Sequence, residues 1–249
     1  MNAKNECPVH IVDLIGSDEA AVLSENTGIS FSDTVTDGIC VIFDEDGVSL
    51  SGFGLTYKGD FTSLLRRVNN GKLNHEMLVH ASKTKTPHPT AIDATAGMGE
   101  DSFLLAAYGY NVIMFEQNPV IACLLADALK RARSNKDTAY IADRMRLVNG
   151  SSIELMASYA ENPDVVYLDP MFPERRKSGL IGKKLQLLQK LEQPCIDESA
   201  LLDAAIGIRP KKIIIKRPLK GGYLADRKPS YTNEGKAIRY DCFVFPENL

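Results

Sequence analysis

From Thr90 onward, short apolar runs alternate with amphipathic stretches long enough for two to four helical turns. Residues 91–95, 111–116, 146–149, 165–168 and 212–216 read as strands, and residues 101–108, 119–134, 152–159, 182–191 and 199–206 as helices. This alternation leaves few folds open. Successive parallel strands need a crossover, and a helix supplies it while covering a sheet face, so strands buried on both faces become nearly continuous apolar runs. An α/β fold with a parallel sheet is expected, closed by a hairpin over residues 230–245 that turns at Asn233-Glu234-Gly235.

The first 85 residues show another pattern. Short strands are expected at 10–15, 38–43 and 48–53, the last two joined by Asp44-Glu45-Asp46-Gly47, and helical stretches at 61–68 and 73–82. Thr86-Pro87-His88-Pro89 then interrupts the chain. The expected organisation is a small β-rich and helical subdomain over 1–85 and a main domain over 86–249, which the length of 249 residues accommodates.

The net charge of −3 conceals an asymmetry. Residues 1–50 hold ten acidic residues and one basic, a net of −9, leaving 28 basic against 22 acidic in the remainder, a net of +6. Arg66-Arg67, Arg175-Arg176-Lys177, Lys183-Lys184, Lys211-Lys212 and Lys216-Arg217 stud that basic part, a distribution open both to phosphate binding and to solvated charge. The five cysteines are scattered, without a paired spacing or a histidine at ligand distance in sequence, so neither a disulfide framework nor a metal site is expected. No run has the length of a membrane span and no secretory leader is recognisable, so a cytoplasmic protein without membrane contact is expected.

The loop Asp93-Ala94-Thr95-Ala96-Gly97-Met98-Gly99-Glu100-Asp101 joins the first strand of the main domain to its first helix. Gly97 and Gly99 permit a tight turn and close approach of a ligand to backbone. A pyrophosphate is a poor fit. Glu100 and Asp101 stand where a helix N-terminus would attract it, and Ser102 replaces the third glycine of a dinucleotide fingerprint. S-adenosylmethionine (SAM) carries no phosphate, and its ammonium and sulfonium are cationic, so carboxylates here suit it. Glu116, 23 residues after Asp93, ends the second strand where a carboxylate can accept ribose hydroxyls, with Gln117 beside the adenine. Ser151 and Ser152 come just after the third strand, placed either to read the adenine edge or to cap the next helix.

The run Val165-Val166-Tyr167-Leu168-Asp169-Pro170-Met171-Phe172-Pro173 brings a carboxylate, a stiffened turn and an aromatic ring to the carboxyl edge of the sheet. It resembles the Asp/Asn-Pro-Pro-aromatic motif of methyltransferases acting on exocyclic amines of nucleobases, with Met171 in place of the second proline. Such an amine is a weak nucleophile because its lone pair is delocalised into the ring. Asp169 and the Pro170 carbonyl can accept its hydrogens, and Phe172 can stack on an extruded base.

The glycine loop, Glu116-Gln117-Asn118-Pro119-Val120, Ser151-Ser152, the run through Asp169 including Met171, and Lys216-Arg217-Pro218 together resemble the RsmJ family, bacterial guanine-N2 methyltransferases of small-subunit ribosomal RNA. The resemblance spans about residue 92 to the C-terminal hairpin and is poor over 1–60. It implies a Rossmann-like class I methyltransferase sheet behind the small N-terminal subdomain, SAM as cofactor, and 16S ribosomal RNA or the small ribosomal subunit as partner. It also implies cofactor contacts at Glu100, Asp101, Glu116, Gln117, Ser151, Ser152 and Asp169. Glu100 and Gln117 stand where the family carries arginine, so those contacts are expected to come from backbone. Arg175, Arg176, Lys177, Lys216 and Arg217, beside the motif, are expected to touch RNA phosphates. An N6-adenine or protein methyltransferase, a non-catalytic RNA- or nucleotide-binding module and an NAD-dependent oxidoreductase remain the alternatives.

Overall fold

The computed structural model describes residues 8–34, 38–69, 71–170, 185–191 and 197–245. The leader opens with β1 (Val9–Asp13) and α1 (Asp18–Thr27), then β2 (Ile39–Asp44), β3 (Gly47–Gly52) and β4 (Leu55–Tyr57). These strands form one sheet in the order β1-β2-β3-β4. α1 lies outside the strand-only expectation for this segment, although its ends are written in the sequence. The Ser17 hydroxyl accepts from the Ala20 N–H, and Gly28 closes the helix at a φ of 70°.

Residues 61–82 hold α2 (Leu65–Val68) and α3 (Met77–Ser82), each preceded by a turn of 3-10 helix. A continuous helix over 73–82 is not formed, because Glu76 is extended with φ −69° and ψ 126°. Phe61, Leu64, Leu78 and Ala81 share a core cluster with Phe103, Tyr110 and Met114 of the large sheet's own elements. The helical part of the expected 1–85 unit therefore packs into the core of the main domain.

The main fold runs β5 (Thr90–Asp93), α4 (Glu100–Tyr108), β6 (Asn111–Glu116), α5 (Pro119–Arg133), α6 (Ala139–Ala142), β7 (Met145–Asn149), α7 (Ser152–Ala157), β8 (Val165–Leu168), α8 (Leu185–Leu191), α9 (Glu198–Gly207), β9 (Lys212–Pro218), β10 (Tyr231–Glu234) and β11 (Ile238–Val244). The strand order is β10-β11-β9-β8-β5-β6-β7, parallel from β9 to β7 and antiparallel where β11 meets β9 and β10. This is the Rossmann-like sheet with the hairpin at one edge. Alternate residues of β8 and β9 enter opposite clusters: Val165, Tyr167 and Ile214 on one face, Val166, Leu168, Ile213 and Ile215 on the other. Both faces are covered, as the apolar runs require.

α5 joins the two sheets. Asn118 caps it through its side-chain oxygen, Pro119 opens it, and Lys130, Arg131 and Arg133 lie in its last turn. Leu125, Ala128, Leu129 and Ala132 pack toward the large sheet, while Val120, Ile121 and Leu124 pack with Ile11, Val41 and Leu50 of the small one. A helix apolar on both sides is stable only when buried on both. Among the described residues no helix is long and apolar enough to cross a membrane.

Candidate functional site

The chain order reverses between β5 and β8, where crossovers leave to opposite sides, and the carboxyl ends of these strands open a crevice in any such sheet. Asp93 ends β5, and Asp169 comes directly after β8. Hydrogen bonds lock the loops above them. The Thr95 hydroxyl accepts the Asp169 N–H at 2.7 Å, and the Ala94 N–H reaches the Tyr167 carbonyl at 3.0 Å. Thr95 was not singled out by sequence reasoning; its place inside the glycine loop was the available signal.

Asp93 is 1% exposed. One carboxylate oxygen accepts the Ser102 hydroxyl at 2.6 Å and the other the Thr95 N–H at 3.1 Å. Burial pushes its pKa up to about 7, aided by the negative charges of Asp101 and Asp169 and opposed by those two hydrogen bonds. Ser102, which costs the loop its third fingerprint glycine, thus serves as an internal donor that shapes the turn.

Gly97 and Gly99 have φ values of 52° and 73°, in the left-handed region. Their surroundings differ. A side chain on Gly99 would meet Leu125 at 2.9 Å, whereas one on Gly97 would meet nothing within 4 Å. Gly99 is therefore small for packing, and Gly97 leaves backbone open beside the crevice. The Gly97 N–H donates to one oxygen of Glu116 at 2.8 Å, and the Asn118 N–H donates to the other at 2.8 Å. Glu116 thus ties the glycine loop to the start of α5 and stands at the carboxyl end of β6.

Gln117 is exposed, and Ser151 and Ser152 are half-buried at the start of α7. Ser151 occupies the N-cap position, yet its side chain makes no capping bond to the helix. Glu100 is exposed and Pro170 buried. Asp101 turns inward, with one oxygen accepting the Tyr167 hydroxyl at 2.6 Å and the Lys216 ammonium at 2.8 Å. Met171, Phe172, Arg175, Arg176 and Lys177 lie outside the described residues.

Lys216 and Arg217, expected to contact phosphates, both have partners inside the fold. Lys216 sits between Asp101 and Asp169, 3.0 Å from the latter. Arg217, 6% exposed, donates to the Gly222 carbonyl at 2.8 Å and faces Glu198 at 3.7 Å. Each cation thus faces internal acceptors, as burial favours. Arg67 likewise grips Glu76 through two 2.8 Å bonds, and Lys211 pairs with Asp164 at 3.1 Å.

The donor set suits SAM. Open backbone at Gly97, a carboxylate at the end of β6, half-buried hydroxyls at the start of α7 and Asp169 after β8 stand along the carboxyl edge of one sheet, with acceptors for a cation and for ribose hydroxyls.

Known proteins share this frame. The family model described as "Putative SAM-dependent methyltransferase" matches residues 53–245. Proteins called "Ribosomal RNA small subunit methyltransferase J" align from Aeromonas salmonicida, 43% identical over 157 residues and covering 63% of this chain and 63% of that one, and from Pseudomonas aeruginosa, 47% identical over 156 residues and covering 62% and 60%. The match thus spans under two thirds of these relatives' length. One from Neisseria gonorrhoeae is 41% identical over 188 residues, covering 74% of this chain and 75% of its own. A solved SAM-dependent methyltransferase from Neisseria gonorrhoeae superposes with a TM-score of 0.73 at 32% identity, covering 95% of each chain. Because the family match takes in all seven strands of the large sheet and every loop at its crevice, the chain belongs to the family of SAM-dependent methyltransferases.

Proposed function

We propose that this protein transfers the methyl group of SAM to the exocyclic N2 amine of a guanine in 16S ribosomal RNA, presented as RNA or as the small ribosomal subunit. The observation that carries the reading is Asp169 at the switch point of the sheet, its backbone tied to the glycine loop through Thr95 and its carboxylate paired with Lys216. The RNA substrate is drawn from relatives that bear a small-subunit ribosomal RNA methyltransferase name. A cytoplasmic location goes with that substrate.

The chemistry asks little of the protein beyond placement. The amine lone pair is conjugated with the purine, so attack needs the nitrogen drawn toward tetrahedral geometry. Asp169 and the Pro170 carbonyl accept the two amine hydrogens and thereby aim the lone pair. Phe172 stacks on the extruded base, and Arg175, Arg176 and Lys177 hold the flanking phosphates. Glu116 accepts the ribose hydroxyls of the cofactor, Gly97 and Gly99 admit it to the backbone, and Asp93 stiffens the loop from beneath. Gln117, Ser151 and Ser152 border the adenine, with Glu100 and Asp101 at the methionine end. When bound, the cofactor supplies an electrophilic methyl on a sulfonium. A nitrogen–carbon bond forms as the carbon–sulfur bond breaks, and the methylated nitrogen then sheds a proton.

The test is transfer of labelled methyl from SAM to small-subunit ribosomal RNA, naked and assembled, with nucleoside analysis. N2-methylguanosine that disappears in Asp169→Ala is expected. Label in N6-methyladenosine or in protein would overturn the assignment of substrate.

A further inference from the structure

In the Lys216-Arg217-Pro218 motif at the end of β9, Lys216 points toward two carboxylates, one on α4 and one in the turn after β8. Its Nζ lies 2.8 Å from Asp101 Oδ2 and 3.0 Å from Asp169 Oδ2. Every element packed around it contributes a charged or titratable group. Asp101 comes from α4, Asp169 from the turn after β8, Tyr167 from β8 with its hydroxyl on Asp101, Tyr240 from β11 with its ring 6.5 Å from that of Tyr167, and Arg67 from α2 within electrostatic reach of Asp101. One ammonium thus serves two carboxylates. Burial alone would favour a neutral lysine, yet Asp101 and Asp169 hold its pKa well above the ordinary lysine value.

We propose that Lys216 is a positioning residue for methyl transfer: its ammonium keeps Asp169 ionised and oriented as the acceptor for the substrate amine. The inference rests on the methyltransferase reading above. It makes Asp169 an acceptor of amine hydrogens and not a base that must take a proton before transfer. The nitrogen attacks the methyl carbon, the electron pair of the breaking carbon–sulfur bond stays on sulfur, and the proton leaves only from the cationic product nitrogen, to Asp169 or to water. Without Lys216, Asp169 would face the like charge of Asp101 in a half-buried crevice, and both effects favour its protonated, non-accepting form.

The experiment compares wild type with Lys216→Gln and Lys216→Arg, reading kcat and KM for RNA from about pH 6 to about pH 9. In Lys216→Gln, kcat is expected to fall about 100-fold, the cost of a misaligned reacting group. Its acid limb should move up toward neutrality while KM for RNA changes less than about threefold, because losing a buried cation is not losing a phosphate contact. Lys216→Arg should return the limb to its wild-type position with part of the rate. Should Lys216→Gln fail to fold, Asp101→Asn serves: it leaves Lys216 to Asp169 alone, and its acid limb should not rise. Independently of activity, the Lys216 Nζ signal of the free protein should remain that of an ammonium at about pH 11, and titrate below the ordinary lysine value in Asp101→Asn/Asp169→Asn, where burial acts without its counter-charges. An unshifted limb in Lys216→Gln, a raised KM with unchanged kcat, or a raised limb in Asp101→Asn would overturn the proposal. Wild type that transfers no methyl would overturn the functional reading itself.

Discussion

Asp93 shows what the crevice demands of single residues. A carboxyl with a pKa near 7 in the folded chain and the usual 3.8 when unfolded takes up a proton on folding between those values. Its contribution is therefore fully present below about pH 4 and is lost as pH rises through about 7, at up to about 1.4 kcal/mol per pH unit. Asp93→Asn removes that dependence. Relative to wild type, the variant's Tm should improve between pH 5 and pH 8, and thermal melts at the two values check the sign. Thr95→Val removes the acceptor of the Asp169 N–H. It should cost about 1 kcal/mol of stability but about tenfold or more in kcat, because the bond fixes a reacting loop; equal small losses in both would count against that role. Much at this scale was legible in the sequence. Motif spacing places Asp93, Glu116 and Asp169 at strand ends, which is where they stand. The carboxylate partners of Lys216 are not legible in the sequence, because they lie 115 and 47 positions earlier in the chain and a basic residue carries no local sign of the direction it faces.

Elements explain the rest of that pattern. The strands Asn111–Glu116 and Val165–Leu168 were readable to their end residues, because a doubly buried strand is an uninterrupted apolar run. α1 was missed despite Ser17 and Gly28 at its ends: it buries only Ala20 and Leu23, so its periodicity is faint. The three residues of β4 and the four of α6 are too short for any period to show. The two glycines between β5 and α4 predict opposite kinds of damage. Gly99→Ala combines a left-handed backbone with a methyl 2.9 Å from Leu125, and should destabilise the fold by about 2–4 kcal/mol. Gly97→Ala meets open space at a φ of 52°. It should cost about 1 kcal/mol of stability yet weaken SAM binding, so calorimetric titration beside a denaturant melt distinguishes the two variants.

At the scale of the whole molecule, the two sheets share α5 as their common core. Neither face of that helix can be exposed cheaply, and Leu124→Ala should cost about 2–5 kcal/mol, with the small and large sheets still melting in one transition. Two separated transitions in calorimetry would show that the leader is an autonomous domain. Its dependence on α5 could not be read from the sequence. The leader's composition and charge differ from the rest, which suggests independence, while the residues that cover its sheet, 120–124, lie on the far side of the glycine loop.

That shared helix sets a timetable for the newborn chain. β4 is complete at Tyr57, but α5 ends only at Arg133, 76 residues later. At the usual pace of synthesis, roughly 5–20 residues per second, the leader waits on the order of 4–15 s with Ile11, Val41 and Leu50 still lacking their cover. The ten acidic residues of positions 1–50 give that waiting segment a net charge of −9, and like charge of this size opposes association of chains whose apolar sheet is still uncovered.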